Sequence, residues 1–499
     1  MTSPLNLSEL LADISNLVLP EATAKICPKD LVSDSRKISV GDVFVALAGH
    51  QFDGRNYIEQ AIHSGAVAVL SEADTKERIK DVGDVSVIEI PNLLQKISFI
   101  AAKFFEFPAK SLSIFGVTGT NGKTTCSQLY ANARNLLKQP CGVIGTLGAG
   151  IFGNTLTSTG FTTPDAISAQ RYIAQMSKNI SFLSLEVSSH SLDQYRVDSL
   201  NFTSALFTNL SRDHLDYHGS MENYIAAKQK LFLRPELQNA IFNIDDSVGE
   251  TLAAHYQGSA TRLTYSVENP KADVYVKNAR YHSSGVEGVL VTPTGQSAFS
   301  SALIGEFNLS NLLGVIATLL AEDVSFEQVL SVIPELRPVA GRMEVVDNDL
   351  RLPTVIVDYA HTPDGLAKAL AAMRVHCNGE LICIFGCGGD RDRGKRKEMA
   401  AIAEQYSDQI IVTNDNPRTE SPQQIVGDIF EGFQYPENVI VELDRKSAIR
   451  KAIEIAQVQD TVLIAGKGHE DYQIVGTERL NHLDSAVARE ILSQRAMAL

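Results

Sequence analysis

The run Gly116-Val117-Thr118-Gly119-Thr120-Asn121-Gly122-Lys123-Thr124-Thr125 carries the strongest local chemistry in the chain. Its glycines let backbone N–H groups approach phosphate oxygens, Lys123 supplies a neutralising cation, and Thr124 brings a hydroxyl placed for Mg²⁺. The spacing departs from the usual phosphate loop, because Val117 stands where the first glycine would be and the extra glycines fall at Gly116 and Gly119. Glu186 ends the apolar run Phe182 to Leu185, where a carboxylate would face the phosphate end of an α/β sheet and could hold a metal. On residue type alone His214 reads as an ordinary polar contact. Lys228, among Ala226, Ala227, Leu231 and Phe232, reads alone as a solvated helix lysine.

A second group of polar residues follows apolar runs late in the chain: Gly386 to Arg393, Asp415-Asn416-Pro417-Arg418, and Gly466-Lys467-Gly468-His469-Glu470. Each lies at the C-terminal end of an expected strand, where open α/β sheets bind ligands. Without further context, the basic run Arg391 to Lys397 reads as a solvated face and Asn308 as a helix N-cap, while Asp358 reads equally as a strand-end turn residue or as a nucleotide contact.

The elements that position these residues follow from hydrophobic patterning. Ser111 to Val117 is a buried-strand pattern that runs into the glycine-rich loop and then a helix beginning near Thr124. Further strands are expected at Phe182 to Leu185, Ala205 to Thr208 and Ala240 to Asn243, with a helical stretch at Met221 to Phe232. Before them, Val43 to Leu47 and Ala66 to Leu70 belong to a small α/β unit. After them, the Val274 to Leu303 stretch suggests an antiparallel excursion, and Leu336-Arg337-Pro338 a hinge. Thr354 to Val357, Leu381 to Phe385, Gln409 to Val412, Asn438 to Val441 and Thr461 to Ala465 then alternate with helical segments, the pattern of a second doubly wound sheet. The expected fold class is α/β in three domains, 1–110, 111–336 and 337–499.

At 499 residues the chain exceeds what one core usually serves, and 44% hydrophobic content supplies several. A net charge of −15 would repel nucleic acid or an anionic membrane, so an anionic substrate must meet a local positive site. Neither a signal peptide nor an apolar run of membrane-spanning length is evident, which predicts a cytoplasmic protein without membrane insertion. Cys27, Cys126, Cys141, Cys377, Cys383 and Cys387 lack metal-finger or disulfide-scaffold spacing and are expected to be reduced thiols.

Thr118 to Thr125 resembles the nucleotide loop of the Mur ligase family. Further motifs in the same order extend the resemblance over nearly the whole chain: Ser33-Asp34-Ser35-Arg36, Leu185 to His190, Asn209 to Asp216, Ala226-Ala227-Lys228, Asp358 to Pro363 and Asp415 to Arg418. The resemblance implies an N-terminal UDP-binding domain, a central phosphate-loop ATPase domain with a parallel sheet, and a C-terminal Rossmann-like domain. It implies an ATP-dependent amide ligase of peptidoglycan precursor synthesis that joins meso-diaminopimelate to UDP-N-acetylmuramoyl-L-alanyl-D-glutamate. By the same resemblance ATP is met by Gly119, Thr120, Asn121, Gly122, Lys123, Thr124, Thr125, Asn308, Arg342, Asp358 and His361. Thr124, Glu186 and His214 are implied at Mg²⁺, together with Lys228 as a carbamate formed from CO₂. The UDP-muramoyl dipeptide is implied at Ser33, Ser35, His50, Gln51, Phe52, Thr162, Thr163, Ser188, Gln194 and Arg196; Phe161 stands before the threonine pair where relatives commonly have asparagine. Diaminopimelate is implied at Arg391, Asp415, Asn416, Pro417, Arg418, Gly466 and Glu470. A monomer is expected.

Meso-diaminopimelate differs from lysine by one carboxylate, for which a planar guanidinium is the natural partner, so Arg418 argues for diaminopimelate over lysine. Two other readings stand beside this one. A folylpolyglutamate synthase shares the loop but leaves Asp415 to Arg418 unexplained, and a nucleotide-hydrolysing switch would need no substrate residues in three domains.

Overall fold

The computed structural model describes residues 5–49, 53–282, 285–346 and 351–498. His50, Gln51 and Phe52 lie outside them. The chain forms two compact units, Met1–Thr264 and Tyr265–Leu499.

In the first unit a five-stranded sheet holds Val43–Ala46 between Leu31–Val32 and Ala68–Ala73, parallel to both. Its core of Leu7, Leu10, Val45, Leu70, Ile88 and Ile97 also takes in Ala166 and Ile167, from the helix Ala166–Met176. Arg171 of that helix donates to Asp30 Oδ1 at 2.8 Å and to the Leu31 carbonyl at 2.9 Å. The small N-terminal sheet is thus tied to the next sheet by apolar packing and by a charge-assisted clamp.

The second sheet of this unit has seven strands, with Ser113–Thr118 between Ser204–Phe207 and Phe182–Glu186, all parallel. Strand Cys141–Gly145 runs parallel beyond Phe182–Glu186. Ile114, Phe115 and Val117 are wholly buried, as a strand covered on both faces requires. Four parallel strands therefore release their C-terminal loops along one edge. The helix expected at Met221 to Phe232 covers Met221–Gln229 only; beyond it Leu231 and Phe232 turn into the core.

The second unit opens with the antiparallel hairpins Tyr275–His282, Gly285–Thr292 and Gly295–Ser301, followed by the helix Glu306–Ala321. Its six-stranded sheet places Thr354–Asp358, Thr461–Ala465, Leu381–Phe385 and Gln409–Val412 side by side in parallel. A separate hairpin, Tyr472–Val475 with Glu478–Asn481, follows the Thr461–Ala465 strand. All six cysteines are free thiols, and among the described residues no helix is long and apolar enough to cross a membrane.

Candidate functional site

At the loop edge of the seven-stranded sheet, Gly119 takes φ +151° and Gly122 φ +86°. A Cβ on Gly119 would overlap the Thr208 hydroxyl, so glycine is required there sterically as well as conformationally. The helix Lys123–Leu136 begins directly after Gly122, and its N-terminal dipole favours an anion. Lys123 Nζ donates to the Gly119 and Thr120 carbonyls, both at 2.8 Å. Thr124 Oγ1 donates to Glu186 Oε2 at 2.9 Å, bringing the loop hydroxyl and the strand-end carboxylate together. Thr146, after the strand Cys141–Gly145, reaches the same carboxylate through its N–H at 2.9 Å and its hydroxyl at 3.1 Å.

Lys228 is 1% exposed, which overturns the solvated-lysine reading. Its ammonium donates to the Gly119 carbonyl at 2.8 Å and lies 4.5 Å from the Tyr224 ring centroid. Burial, reinforced by Lys123, pushes its pKa well below the ordinary lysine range, favouring the neutral amine. His214 is half-exposed and in the left-handed region at φ +53°, with its ring 6.2 Å from that of Tyr224. Tyr224 is therefore a shared neighbour of Lys228 and His214, and its hydroxyl lies 3.2 Å from Thr120 Oγ1.

These donors suit a hard divalent cation: a buried carboxylate, a hydroxyl at a phosphate-binding helix end, and an imidazole. No group of three or more His, Cys, Asp or Glu side chains gathers to hold a metal among the described residues. A desolvated neutral amine is the form that adds CO₂, and the resulting carbamate would supply the further anionic oxygens.

On the same edge Thr163 Oγ1 donates to the Glu186 carbonyl at 2.8 Å and accepts from Ser188 N at 3.0 Å. Thr162 joins through the Thr146 hydroxyl at 3.3 Å. Arg196 donates to the Thr163 carbonyl at 2.8 Å and to Gln194 Oε1 at 2.6 Å. Thr162, Thr163, Ser188, Gln194 and Arg196 thus form one network leading to Glu186. Phe161, 61% exposed, stands outside it. In the N-terminal sheet Ser35 is buried with its hydroxyl 3.3 Å from Gln60 Oε1, and Ser33 precedes it in the loop after Leu31–Val32.

The four adjacent strands of the six-stranded sheet deliver the other group. After Thr354–Asp358, Asp358 accepts from Met343 N at 2.9 Å and Ala360 N at 2.8 Å; burial raises its pKa against the pull of Arg342. Arg342 lies over the Tyr359 ring at 4.6 Å, and burial lowers the His361 pKa. After Gln409–Val412, Asn416 Nδ2 donates to Glu470 Oε2 at 3.0 Å, and Lys467 Nζ donates to the same oxygen at 2.9 Å. Gly466, at φ +114°, follows Thr461–Ala465 beside Asp415. Pro417 lies against Gly389, whose N–H donates to the Asn416 carbonyl at 2.9 Å.

Arg418 adopts φ +51°, a conformation costing roughly 1–2 kcal/mol for a side-chain-bearing residue. The neighbouring hairpin holds it there: Arg418 N donates to the Ile474 carbonyl at 3.1 Å, and Gly476 N to the Arg418 carbonyl at 2.7 Å. Its guanidinium donates to the Gly389 carbonyl at 2.8 Å, and Arg391 to the Asp390 carbonyl at 3.3 Å. Among the described residues neither guanidinium is ion-paired, so both retain capacity for a carboxylate. In contrast Arg396, in the run expected to be a solvated face, is buried against Glu420 and Asp428.

Asn308 is not the helix cap. Gly305, at φ +91°, takes that place, and buried Asn308 donates to the Ile304 carbonyl at 2.9 Å. Thr146 and Tyr224 had no local motif to single them out, and only the fold brings them to this edge; Lys467 stands within the Gly466 to Glu470 segment but is given no contact of its own by the sequence.

Three family models match in series: the Mur ligase family catalytic domain over residues 30–104, the Mur ligase middle domain over 117–319, and the Mur ligase glutamate ligase domain over 341–468. The UDP-N-acetylmuramoyl-L-alanyl-D-glutamate--2,6-diaminopimelate ligase of Coxiella burnetii is 48% identical over 491 residues, 97% of this chain and 99% of that protein. The enzyme of the same name from Pseudomonas putida is 46% identical over 473 residues, 93% and 95% of the two chains. A solved structure of a ligase with this name superposes with a TM-score of 0.73 at 35% identity, covering 99% of this chain and 100% of the other. With a phosphate-binding loop, a carboxylate-bearing neighbouring strand and near full-length identity of this order, the chain belongs to the Mur ligase family, an α/β enzyme family of three domains.

Proposed function

We propose that this chain is the ATP-dependent, ADP-forming ligase that adds meso-2,6-diaminopimelate to the D-glutamate of UDP-N-acetylmuramoyl-L-alanyl-D-glutamate in peptidoglycan precursor synthesis. The observation that carries the amino-acid assignment is the pair of guanidiniums, Arg391 and Arg418, which flank Gly388 without ion-pair partners among the described residues, while Glu470 is held by Asn416, two residues before Arg418. Two cations suit the distal carboxylate and an anion suits the ammonium at the same centre; lysine would leave the carboxylate site without its ligand. Relatives at 46–48% identity bearing this name support the same substrate.

A carboxylate and an amine do not condense in water, so the carboxylate must first be activated as an acyl phosphate, which the amine attacks with loss of phosphate. Gly119 to Thr125 hold the ATP phosphates through backbone N–H groups, and Lys123 turns from its loop carbonyls to the transferring group. Thr124, Glu186, His214 and Lys228, the last as its carbamate, would hold Mg²⁺, which when bound would neutralise charge developing on the phosphoryl oxygens. Thr162, Thr163, Ser188, Gln194 and Arg196 orient the muramoyl peptide, with Ser33, Ser35, His50, Gln51 and Phe52 on its UDP end. Asn308, Arg342, Asp358 and His361 are the ATP contacts of this reading in the second unit. Asp415, Asn416, Pro417 and Gly466 shape the diaminopimelate site around Arg391, Arg418 and Glu470. The domains in this reading are 1–110, 111–336 and 337–499, and the enzyme works as a cytoplasmic monomer.

The test is phosphate release with ATP, Mg²⁺ and the UDP-muramoyl dipeptide, comparing meso-diaminopimelate, L-lysine and no amino acid, with the product weighed by mass spectrometry. A tripeptide product only with diaminopimelate is expected. A lysine product would reverse the amino-acid assignment, and release without product would favour a nucleotide switch.

A further inference from the structure

Arg445 opens the helix Arg445–Ile455 and is 1% exposed; Asp484 opens the helix Asp484–Ala498 and is fully buried. Arg445 Nε donates to Asp484 Oδ1 at 2.8 Å and Nη2 to Oδ2 at 2.7 Å, a bidentate pair. The rest of the guanidinium is spent on backbone. Nη2 donates to the Ala465 carbonyl at 2.9 Å and Nη1 to the Asn414 carbonyl at 3.3 Å. The His482 ring Nε2 lies 2.8 Å from Asp484 Oδ1, so the chain leaving the hairpin Tyr472–Val475/Glu478–Asn481 is joined to the same centre.

Each bonded position borders a residue of the proposed diaminopimelate site. Asn414 precedes Asp415 to Arg418, Ala465 precedes Gly466 to Glu470, and the hairpin holds Arg418 through Ile474 and Gly476. A buried ion pair is a poor device for stability, since desolvation offsets most of its attraction. Fixing two strand-end loops from one rigid planar group, with the hairpin joined through Asp484 and His482, is what it does well.

We propose that the Arg445–Asp484–His482 cluster is the positioning unit of the amino-acid site: it sets the spacing between Arg418 and Glu470 and thereby the affinity for diaminopimelate. It rests on the substrate reading given above. The cluster touches no substrate itself, and it acts by holding the Asn414 and Ala465 carbonyls in register.

The test uses the full chain and compares wild type with Arg445→Lys, Asp484→Asn, His482→Gln and the double variant Arg445→Met/Asp484→Leu. The double variant replaces the pair by apolar side chains, so that no buried charge is left alone. Melting temperature and the KM for diaminopimelate, ATP and the UDP-muramoyl dipeptide are measured for each. The double variant is expected to fold and to raise the KM for diaminopimelate about tenfold or more, with the KM for ATP within about twofold of wild type. If the single variants fail to fold, the double variant and His482→Gln decide the question. A folded double variant with unchanged KM for diaminopimelate, or one whose only change is a lower kcat, overturns the proposal. Wild type showing no diaminopimelate-dependent turnover would instead refute the substrate reading before any variant is compared.

Discussion

The Lys228 ammonium meets the Gly119 carbonyl at 2.8 Å, across 109 residues of sequence, inside the loop that receives phosphate. A cation so placed would compete with Mg²⁺, whereas its carbamate would attract it. Supplying isotope-labelled bicarbonate should give a carbamate carbon resonance that Lys228→Arg lacks. Lys228→Arg should also lose about 100-fold or more in kcat. Full activity after stripping of CO₂, with no labelled carbon found, would remove the carbamate from the mechanism.

Glu186 receives hydroxyls from both Thr124 and Thr146. Glu186→Gln keeps the shape and loses the charge, so the Mg²⁺ concentration for half-maximal rate should rise while the melting temperature stays near wild type. Thr146→Val removes one hydroxyl bond to a charged group, worth about 1.5–3 kcal/mol, and should show a smaller shift in the same direction. An unchanged Mg²⁺ requirement in Glu186→Gln would place the metal elsewhere.

Arg418→Ala should weaken use of diaminopimelate by about 2–5 kcal/mol, the loss expected when a desolvated charge loses its partner, and leave the KM for ATP alone. Arg418→Lys should recover only part of this, because an ammonium cannot make two parallel bonds. Steady-state kinetics with each substrate varied in turn reads both. Equal losses for ATP and diaminopimelate would contradict the assignment.

Burial resists ionisation of Asp484, but the Arg445 charge and bonds from Arg445 and His482 overcome it and hold the carboxyl well below its usual range. A depressed folded pKa contributes stability that is complete above the unfolded value, about 3.9, and is lost as pH falls toward the folded one. Melting curves taken downward from about pH 4 should therefore fall more steeply for wild type than for Arg445→Met/Asp484→Leu. Parallel curves would show that the pair adds nothing to acid sensitivity.

Gly119→Ala should abolish ATP binding or lower the melting temperature, because φ +151° and the Thr208 hydroxyl leave no room for a methyl group. Nucleotide titration and thermal melting check it; wild-type values for both would refute the steric argument.

The strands and the loops at their ends were legible because apolar runs such as Ser113–Thr118 and Leu381–Phe385 are local signals, and Gly122-Lys123-Thr124 has a fixed chemical meaning. Lys228 was not legible from its residue type: a helix lysine after two alanines reads as solvated, and only the approach of Gly119 and Tyr224 shows it buried. Arg445 and Asp484 were invisible for the same reason, since 39 residues separate them and neither lies in a motif. Asn308 shows the converse error. Its type suits a cap, but Gly305 already supplies the turn, which frees the amide to bond inside the helix start.

The left-handed backbone of Arg418, held open by the hairpin at Ile474 and Gly476, has an implication for how such a site could change its amino acid. The guanidinium points where it does because a neighbouring segment keeps its residue in a costly conformation, and that segment is itself anchored through His482. Exchanging the arginine alone would delete one preference without creating another. A descendant chain accepting a different amino acid would have to alter the loop, its hairpin brace and the buried anchor together, so substrate choice passes on as a linked block and not as a single letter.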